Sequence, residues 1–251
     1  MYKIPARTLF AGKNLVYVPQ CHSTNTLAAE LGQKVETPEG TVVITDHQSA
    51  GRGQRGNAWE AQPGKNLTFS LILKPGFLEA KDQFQLNEAI SVGIAQYVAS
   101  RLVNPIAIKW PNDILVQDKK VCGILIENHL NGETIGCSIV GIGLNINQQS
   151  FNEPNAESIG TITGKEYSLR DEFEVLLHAV EGCYLKLKKG KHVELENRYL
   201  DLLYRKDQIH LFAAGNEVFE GIISGVSGVG KLRINVGGTE RVFGAKEVAF
   251  L

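Results

Sequence analysis

The segment of this chain with the clearest chemical character is GRGQRGNAW, residues 51–59, called here the Gly-Arg loop. Three glycines in six residues let the backbone adopt positive φ and approach a ligand closely, and successive N–H groups in such a loop can form an anion-binding nest. Arg52 and Arg55 add planar cations suited to phosphate or carboxylate, and Trp59 offers a face for a planar base. The loop lacks the patterns of a P-loop and of a dinucleotide-binding fold. The alternative is an exposed loop that binds nothing.

A second cluster lies in the run KWPNDILVQDKKVCG. Lys109 lies near the end of a predicted strand, Asn112 and Asp113 form a turn, and Lys120 follows a second turn with Gly123 three residues later. Two lysines at strand ends beside an aspartate and an asparagine suit an anionic ligand and a metal ion. The alternative is ordinary hairpin chemistry, because Asn-Asp and Asp-Lys are common turn pairs.

Two further patterns indicate a ligand site. In GIGLNIN, residues 141–147, glycines and asparagines that include Asn145 share one face of a predicted strand. Such a face makes a poor core and a good floor for a ligand, although an edge strand or a bulge would also explain it. Ser23, Thr24 and Asn25 open a predicted helix, where they are good N-caps. The same helix start could bind a polar group of a substrate.

The elements that carry these residues form an α+β pattern. Short strands with Gly-rich turns follow residue 206, where 8 of the 26 glycines lie. We therefore predict a mixed-sheet domain with packed helices at 1–206 and a small C-terminal SH3-like β-barrel at 207–251. In the first domain we predict strands at 12–18, 41–48, 66–74, 106–110, 113–117, 121–127 and 133–147, helices at 23–31, 82–102, 168–189 and 192–203, and irregular structure at 49–66 and 148–167.

Composition excludes several classes of protein. Lys and Arg number 26 and Asp and Glu 27, so the chain has no bulk positive charge with which to hold nucleic acid. No apolar run is long enough to span a membrane, and the N-terminus lacks a signal-peptide core. The cysteines are scattered and form no CxxC pair, which predicts free thiols in a reducing cytoplasm. They are Cys21, Cys122, Cys137 and Cys183.

In combination, these motifs resemble the biotin protein ligase family. The resemblance rests on Ser-Thr-Asn at 23–25, Gln48 leading into GRGQRG and Trp59, KWPND, KKVCGIL and GIGLNIN, and it spans roughly residues 20–147. KWPND followed by K-x-x-G is the most specific of these patterns. The resemblance implies a fold like that of class II synthetases and biotin/lipoate ligases.

The resemblance also implies a reaction. The biotin carboxylate attacks the α-phosphate of ATP in the presence of Mg²⁺, which gives biotinyl-5′-AMP and pyrophosphate. A lysine of a biotin carboxyl carrier protein, of acetyl-CoA carboxylase or a similar enzyme, then attacks the adenylate. Biotin and ATP are thus expected as substrates and Mg²⁺ as activator, with no tightly bound cofactor. Members of the family occur as monomers and as homodimers.

The resemblance assigns roles to individual residues, with Asp113 at the nucleotide and metal side as the candidate Mg²⁺ ligand. By its position, Asp113 is also a candidate helper in deprotonating the target amine. The catalytic residues it implies are Lys120, Arg55, Asp113 and Lys109. The biotin-binding residues it implies are Ser23, Thr24, Asn25, Gln48, Gly51, Arg52, Gly53, Gln54, Lys120 and Gly123. The nucleotide-binding residues it implies are Arg52, Arg55, Gly56, Trp59, Lys109, Asn112 and Asn145.

The sequence departs from the family pattern in the Gly-Arg loop. Many members have Arg where this chain has Gln54, and Arg or Lys is usual near Asn57. Fewer cations would weaken retention of the adenylate. We therefore expect the loop to rely on Arg52 and Arg55, together with Lys120.

Three other interpretations stay open. A lipoate or octanoate ligase of the same fold is not expected to combine GRGQRG with KWPND. A non-catalytic biotin binder does not explain the paired lysines and Asp113. A nucleic-acid binder with a C-terminal barrel is disfavoured by the net charge of −1. Because only 22 residues precede Ser23, fewer than a DNA-binding helix-turn-helix needs, we also expect no repressor activity.

Overall fold

The computed structural model describes residues 2–251, apart from the side chain of Arg55. It contains two separate sheets, one of seven strands and one of five. The strands are β1 Leu15–Cys21, β2 Val42–Gln48, β3 Leu67–Leu73, β4 Ile106–Lys109, β5 Asp113–Val116, β6 Lys119–Asn131, β7 Thr134–Leu144, β8 Ile209–Ala214, β9 Glu217–Val226, β10 Leu232–Val236, β11 Thr239–Phe243 and β12 Ala249–Phe250. The helices are α1 Thr24–Gly32, α2 Phe84–Ala99, α3 Ile159–Thr163, α4 Leu169–Lys188 and α5 His192–Asp201, with 3-10 turns at Gln54–Gly56 and Ala80–Asp82.

The seven-stranded sheet has the order β1-β2-β3-β7-β6-β5-β4 and is mixed, because β1 and β2 are parallel and the other pairs are antiparallel. Strand β3, which lies inside the sheet between β2 and β7, is buried at all seven positions. The reason is that helices cover both faces: α2 and α4 pack on one, and α1 packs on Val43, Ile72 and Ile139 of the other. This confirms the predicted α+β fold with helices packed on a mixed sheet.

The five-stranded sheet is antiparallel, has the order β11-β10-β9-β8-β12 and is consistent with the predicted small barrel. Its core contains Phe212, Phe219 and Phe243. The turn before β10 is joined to the residue that follows β4, since Trp110 Nε1 donates to the Gly230 carbonyl at 3.0 Å. The predicted division of the chain after residue 206 stays a prediction.

Several local predictions were wrong. The segment 148–167, predicted to be irregular, contains α3, a single turn too short for periodicity to reveal. Ser158 begins this helix by accepting a hydrogen bond from Thr161 N at 3.1 Å, and Gly164 ends it with φ of 67°. Ser23 and Ser168 begin helices as expected, but neither side chain makes a capping hydrogen bond. Strand β12 was not predicted.

Two expectations from composition can be compared with the structure. All four cysteines are free thiols, as predicted. Within the part of the chain that the structure describes, no helix combines the length and the apolar character that crossing a bilayer requires.

Candidate functional site

A cleft of about 1270 Å³ lies between the seven-stranded sheet, the Gly-Arg loop and the C-terminal residues 245–251. It collects most of the predicted site residues, although these come from distant parts of the chain. Those that line it are Ser23, Thr24, Asn25, Gln48, Arg52, Gly53, Gln54, Trp59, Lys109, Asn112, Asp113, Lys120, Gly123 and Asn145. Gly51 and Gly56 belong to the loop without lining the cleft, and the Arg55 side chain lies outside the described residues.

The floor of the cleft is a pair of glycines that carries the indole of Trp59. A Cβ placed on Gly143 would lie 2.2 Å from Trp59 Cε2, and one on Gly123 would lie 2.9 Å from Cζ3. The two glycines face each other across β6 and β7, so they form one flat surface. Trp59 Nε1 is buried and has no hydrogen-bond partner among the described residues. The indole therefore offers a donor for which a ligand could supply the acceptor.

At one side of the floor a chain of buried hydrogen bonds begins at Gln48. Gln48 Oε1 accepts from Thr24 N at 2.7 Å and from Thr24 Oγ1 at 3.1 Å. Ser70 Oγ is within hydrogen-bonding distance of Thr24 Oγ1, at 2.8 Å, and of Asn25 Oδ1, at 2.6 Å. Asn25 Nδ2 donates to Glu127 Oε2 at 2.7 Å. We call these five residues, Gln48, Thr24, Ser70, Asn25 and Glu127, the polar relay.

The polar relay ends on the Gly-Arg loop, because Arg52 Nη2 donates to the same Glu127 oxygen at 3.0 Å. The loop is folded back on itself as a small hairpin, in which Gly53 N donates to the Asn57 carbonyl and Trp59 N to the Gly51 carbonyl. This hairpin brings the Arg52 side chain to the lining of the cleft.

At the other side of the floor the cleft is lined by charged residues at strand ends. Lys109 and Asp113 face each other across β4 and β5, and β6 begins with Lys119 and Lys120. Lys120 Nζ lies 2.8 Å from Asp113 Oδ1 and 5.7 Å from the centre of the Trp59 ring. We call the group Lys109, Lys120, Asp113 and Phe250 the lysine wall.

Phe250 joins the lysine wall from the C-terminal sheet. Lys109 Nζ lies 5.1 Å from the centre of its ring, which is a cation–π contact. Burial lowers the pKa of Lys109 from its usual value, and the carboxylate of Asp113 partly opposes this effect. A cation held in this way is well placed to pair with an incoming anion.

Two asparagines of the cleft differ in how fully their side-chain amides are hydrogen-bonded. Asn112 Nδ2 donates to the Ile124 carbonyl and so fixes the turn between β4 and β5. Asn145 Nδ2 donates to the Glu157 carbonyl at 3.1 Å, which leaves its buried Oδ1 without a partner in the described structure. Asn145 lines the cleft and therefore offers an acceptor to a ligand.

The described residues include no cluster of three or more His, Cys, Asp or Glu side chains that could hold a metal ion. Mg²⁺ does not need such a cluster, because it commonly binds through one or two carboxylates together with substrate phosphates and water. Asp113, which lines the cleft, fits that donor set once a nucleotide supplies the phosphates.

Sequence reasoning missed three contributors to the site. Glu127 and Ser70 lie in strands whose apolar character dominated the prediction, although a lone carboxylate or hydroxyl in such a strand is itself informative. Phe250 lies in β12, a two-residue strand that has no sequence pattern of its own.

Comparison with known proteins gives a consistent result. A family model described as "Biotin/lipoate A/B protein ligase family" matches residues 17–145. The chain is 38% identical over 183 residues to the bifunctional ligase/repressor BirA of Bacillus subtilis, a match that covers 71% of this chain and 56% of that protein. It is 29% identical over 215 residues to the biotin–[acetyl-CoA-carboxylase] ligase of Paracoccus denitrificans, covering 83% and 89%. The chain thus spans little more than half the length of the Bacillus relative.

Solved structures agree. The biotin protein ligase from Aquifex aeolicus in complex with biotin and ATP superposes with a TM-score of 0.78 at 26% identity, covering 95% of this chain and 99% of that chain. The biotin protein ligase from Leishmania major in complex with biotinyl-5-AMP has a TM-score of 0.57 at 23% identity and covers 92% and 99%, which shows a shared fold.

Proposed function

The chain belongs to the biotin/lipoate A/B protein ligase family, and from that premise we propose that it is an ATP-dependent biotin–[biotin carboxyl-carrier protein] ligase. It forms biotinyl-5′-AMP from biotin and ATP and transfers the biotinyl group to a lysine of a carrier protein such as that of acetyl-CoA carboxylase. The observation that carries the proposal is the cleft itself. Polar groups suited to a neutral substrate head line one side, and cations suited to a carboxylate and phosphates line the other.

The polar relay supports a biotin site. The head of biotin is a ureido group with N–H donors and a carbonyl acceptor, and it needs neutral partners of both kinds. Ser23, Thr24 and Gln48 supply hydroxyl and amide groups that line the cleft. The indole of Trp59 on its glycine floor supplies an apolar surface for the ring and chain. The carboxylate then lies towards Lys120.

The lysine wall supports a nucleotide site. Lys109 and Lys120 are placed for phosphate oxygens, and Asp113 is the candidate ligand for Mg²⁺ carried by the nucleotide. The partnerless Oδ1 of Asn145 can accept from an exocyclic amine, which adenine has and guanine lacks at that edge. This contact would favour ATP over GTP as the nucleotide substrate.

The first step is an in-line displacement. The biotin carboxylate attacks the α-phosphorus, and the bond to pyrophosphate breaks with its electron pair leaving on pyrophosphate. Arg52, Lys109 and Lys120 offset the repulsion of the two anions and the charge that develops at phosphorus. Mg²⁺, when bound, adds charge neutralisation on the phosphate oxygens. The protein otherwise contributes mainly by positioning the reactants.

In the second step the uncharged amine of the carrier lysine attacks the adenylate carbonyl, and AMP leaves. The amine must lose a proton, and Asp113 is the candidate to assist because its carboxylate lies in the cleft beside Lys120. The mixed anhydride hydrolyses readily, so exclusion of water by the Gly-Arg loop favours transfer.

Retention of the adenylate depends on the cations of the loop. Gln54 and Asn57 both line the cleft where family members commonly have cations. We propose that Arg52, Arg55 and Lys120 carry the phosphate contact in their place.

The domain division, the cellular location and the oligomeric state are part of the same proposal. The catalytic unit spans 1–206, and the barrel at 207–251 closes one side of the cleft through Phe250. The ligase acts in the cytoplasm, an assignment supported by its four free cysteines, as a monomer or a homodimer.

The decisive experiment is incubation of the protein with ATP, Mg²⁺, biotin and a carrier domain, followed by mass spectrometry of the carrier. We expect the carrier to gain the mass of one biotinyl group, and a carrier whose acceptor lysine is replaced to gain none. Lipoate and octanoate in place of biotin serve as matched substrates. A mass gain with either of them and none with biotin would assign the chain to the other branch of the family.

A further inference from the structure

One carboxylate that lies outside the sequence motifs connects two of them. Glu127 Oε2 accepts from Asn25 Nδ2 at 2.7 Å and from Arg52 Nη2 at 3.0 Å. Asn25 is fixed in the first turn of α1 and is 3% exposed, whereas Arg52 belongs to the Gly-Arg loop and lines the cleft. A single oxygen therefore ties the loop arginine to a rigid part of the fold.

The hydrogen bond leaves most of the guanidinium available. A guanidinium has five N–H donors in a fixed plane, and the contact with Glu127 uses one of them. A side chain held at one corner keeps its other donors in a defined orientation. An unrestrained arginine would instead lose rotamer freedom each time it bound an anion.

The ion pair itself stabilises the fold little, because its two side chains are 47% and 36% exposed. Its effect should therefore be visible in the order of the loop and in ligand binding rather than in thermal stability. In contrast to this exposed ion pair, the hydrogen bond between Ser70 and the amide oxygen of Asn25 is buried, so Asn25 is held firmly in place.

Resting on the proposed function, we propose that Glu127 is a positioning residue for biotin activation. Its carboxylate is fixed by Asn25 and in turn holds Arg52, which orders the Gly-Arg loop. The free donors of the guanidinium then face the anion formed or consumed in the cleft. Glu127 touches no substrate and acts through Arg52.

The test compares Glu127→Gln with the matched control Glu240→Gln. Glu240 forms an equally exposed arginine pair, with Arg233 at 2.9 Å and exposures of 45% and 40%, on the C-terminal sheet. Pyrophosphate release with ATP, Mg²⁺, biotin and an excess of the carrier domain gives kcat and KM for each variant, alone and combined with Arg52→Ala. Tryptic cleavage after residues 52 and 55, measured without ligands, reports the order of the loop independently of activity.

We expect Glu127→Gln to raise the KM for biotin about three- to tenfold, as the loss of one ordered side chain would, and to speed loop cleavage by a similar factor. The KM effect should vanish when Arg52 is already alanine, and Glu240→Gln should change neither quantity. An undiminished effect in the Arg52→Ala background, or unchanged KM and cleavage, overturns the proposal. If the wild-type protein releases no biotin-dependent pyrophosphate, the proposed function fails, and the cleavage assay still decides whether Glu127 orders the loop.

Discussion

The two sides of the cleft differ in how far their polar groups are already satisfied. In the polar relay each side chain is hydrogen-bonded to the next, from Gln48 to Glu127, and Thr24, Asn25 and Ser70 are nearly inaccessible to solvent. In the lysine wall, Lys109 is held by the Phe250 ring and Lys120 by one carboxylate. The neighbouring Asn145 Oδ1 has no partner within the described residues.

This difference indicates which side of the cleft is preformed in the protein and which side is completed by the ligand. A neutral head group needs partners that are already oriented, because weak neutral hydrogen bonds cannot repay the cost of ordering them. Phosphates and a carboxylate bring their own charge and complete the pairing when they arrive. Substitutions in the relay should therefore change mainly the KM for biotin. Substitutions in the lysine wall should change mainly kcat and the KM for ATP.

The largest effect should come from Lys120→Ala. Its removal leaves Asp113 as an unpaired carboxylate beside two anionic reactants and deletes a cation from the reacting centre. We expect adenylate formation to slow by about 10²–10³-fold, the range seen when one preorganised donor to a developing charge is lost. Lys119→Ala is the matched control, because Lys119 Nζ instead donates to the Pro154 carbonyl at 2.9 Å. Equal activity of the two variants would refute a charge role for Lys120.

The second-largest effect should come from Gly141→Ala, which displaces a side chain of the polar relay. A Cβ at Gly141 would lie 2.2 Å from Asn25 Oδ1, so Asn25 must move and lose its contact with Ser70. Disturbing a buried hydrogen bond costs about 1–3 kcal/mol, and we expect the KM for biotin to rise about tenfold with a smaller change in kcat.

The control for that variant is Gly182→Ala in α4, where an added Cβ meets no atom within 4 Å. It should keep normal KM and should stabilise the protein slightly, because alanine favours a helix over glycine by up to about 1 kcal/mol. If Gly141→Ala lowered kcat and left KM unchanged, the relay would not be the preformed side.

The contrast between the two sides also explains what the sequence could predict. The motif residues of both sides were predicted because each cluster is local in the chain. Ser70 and Glu127 were not, because their partners lie in α1 and the Gly-Arg loop, and contacts between segments far apart in the chain leave no local pattern. Phe250 was missed for the same reason, since it meets Lys109 across 141 positions. The overall fold was predictable because periodicity and glycine-rich turns are local properties.

A pH profile tests the lysine wall further. Burial lowers the pKa of Lys109, so its ammonium loses a proton at a lower pH than a free lysine does. If ATP needs the charged form, the KM for ATP rises as pH rises through this lowered pKa, and stays low below it. In Lys109→Arg the charge persists, so this alkaline rise should disappear even if the absolute KM changes. Lys119→Arg is the control and should keep the wild-type profile, and a persistent rise in Lys109→Arg would exclude Lys109 as its source.

The smallest effect should come from Phe250→Leu, which keeps apolar bulk against Phe212 and removes the aromatic face under Lys109. A cation–π contact between half-buried groups is worth about 1 kcal/mol, so the KM for ATP should rise about two- to fivefold. The KM for biotin should stay unchanged, because the relay makes no use of the C-terminal sheet. Val242→Leu, an exposed apolar change elsewhere on that sheet, should alter neither constant. A rise in the KM for biotin alone would reverse the assignment of the two sides, because it would place the preformed partners of the neutral head group at the lysine wall.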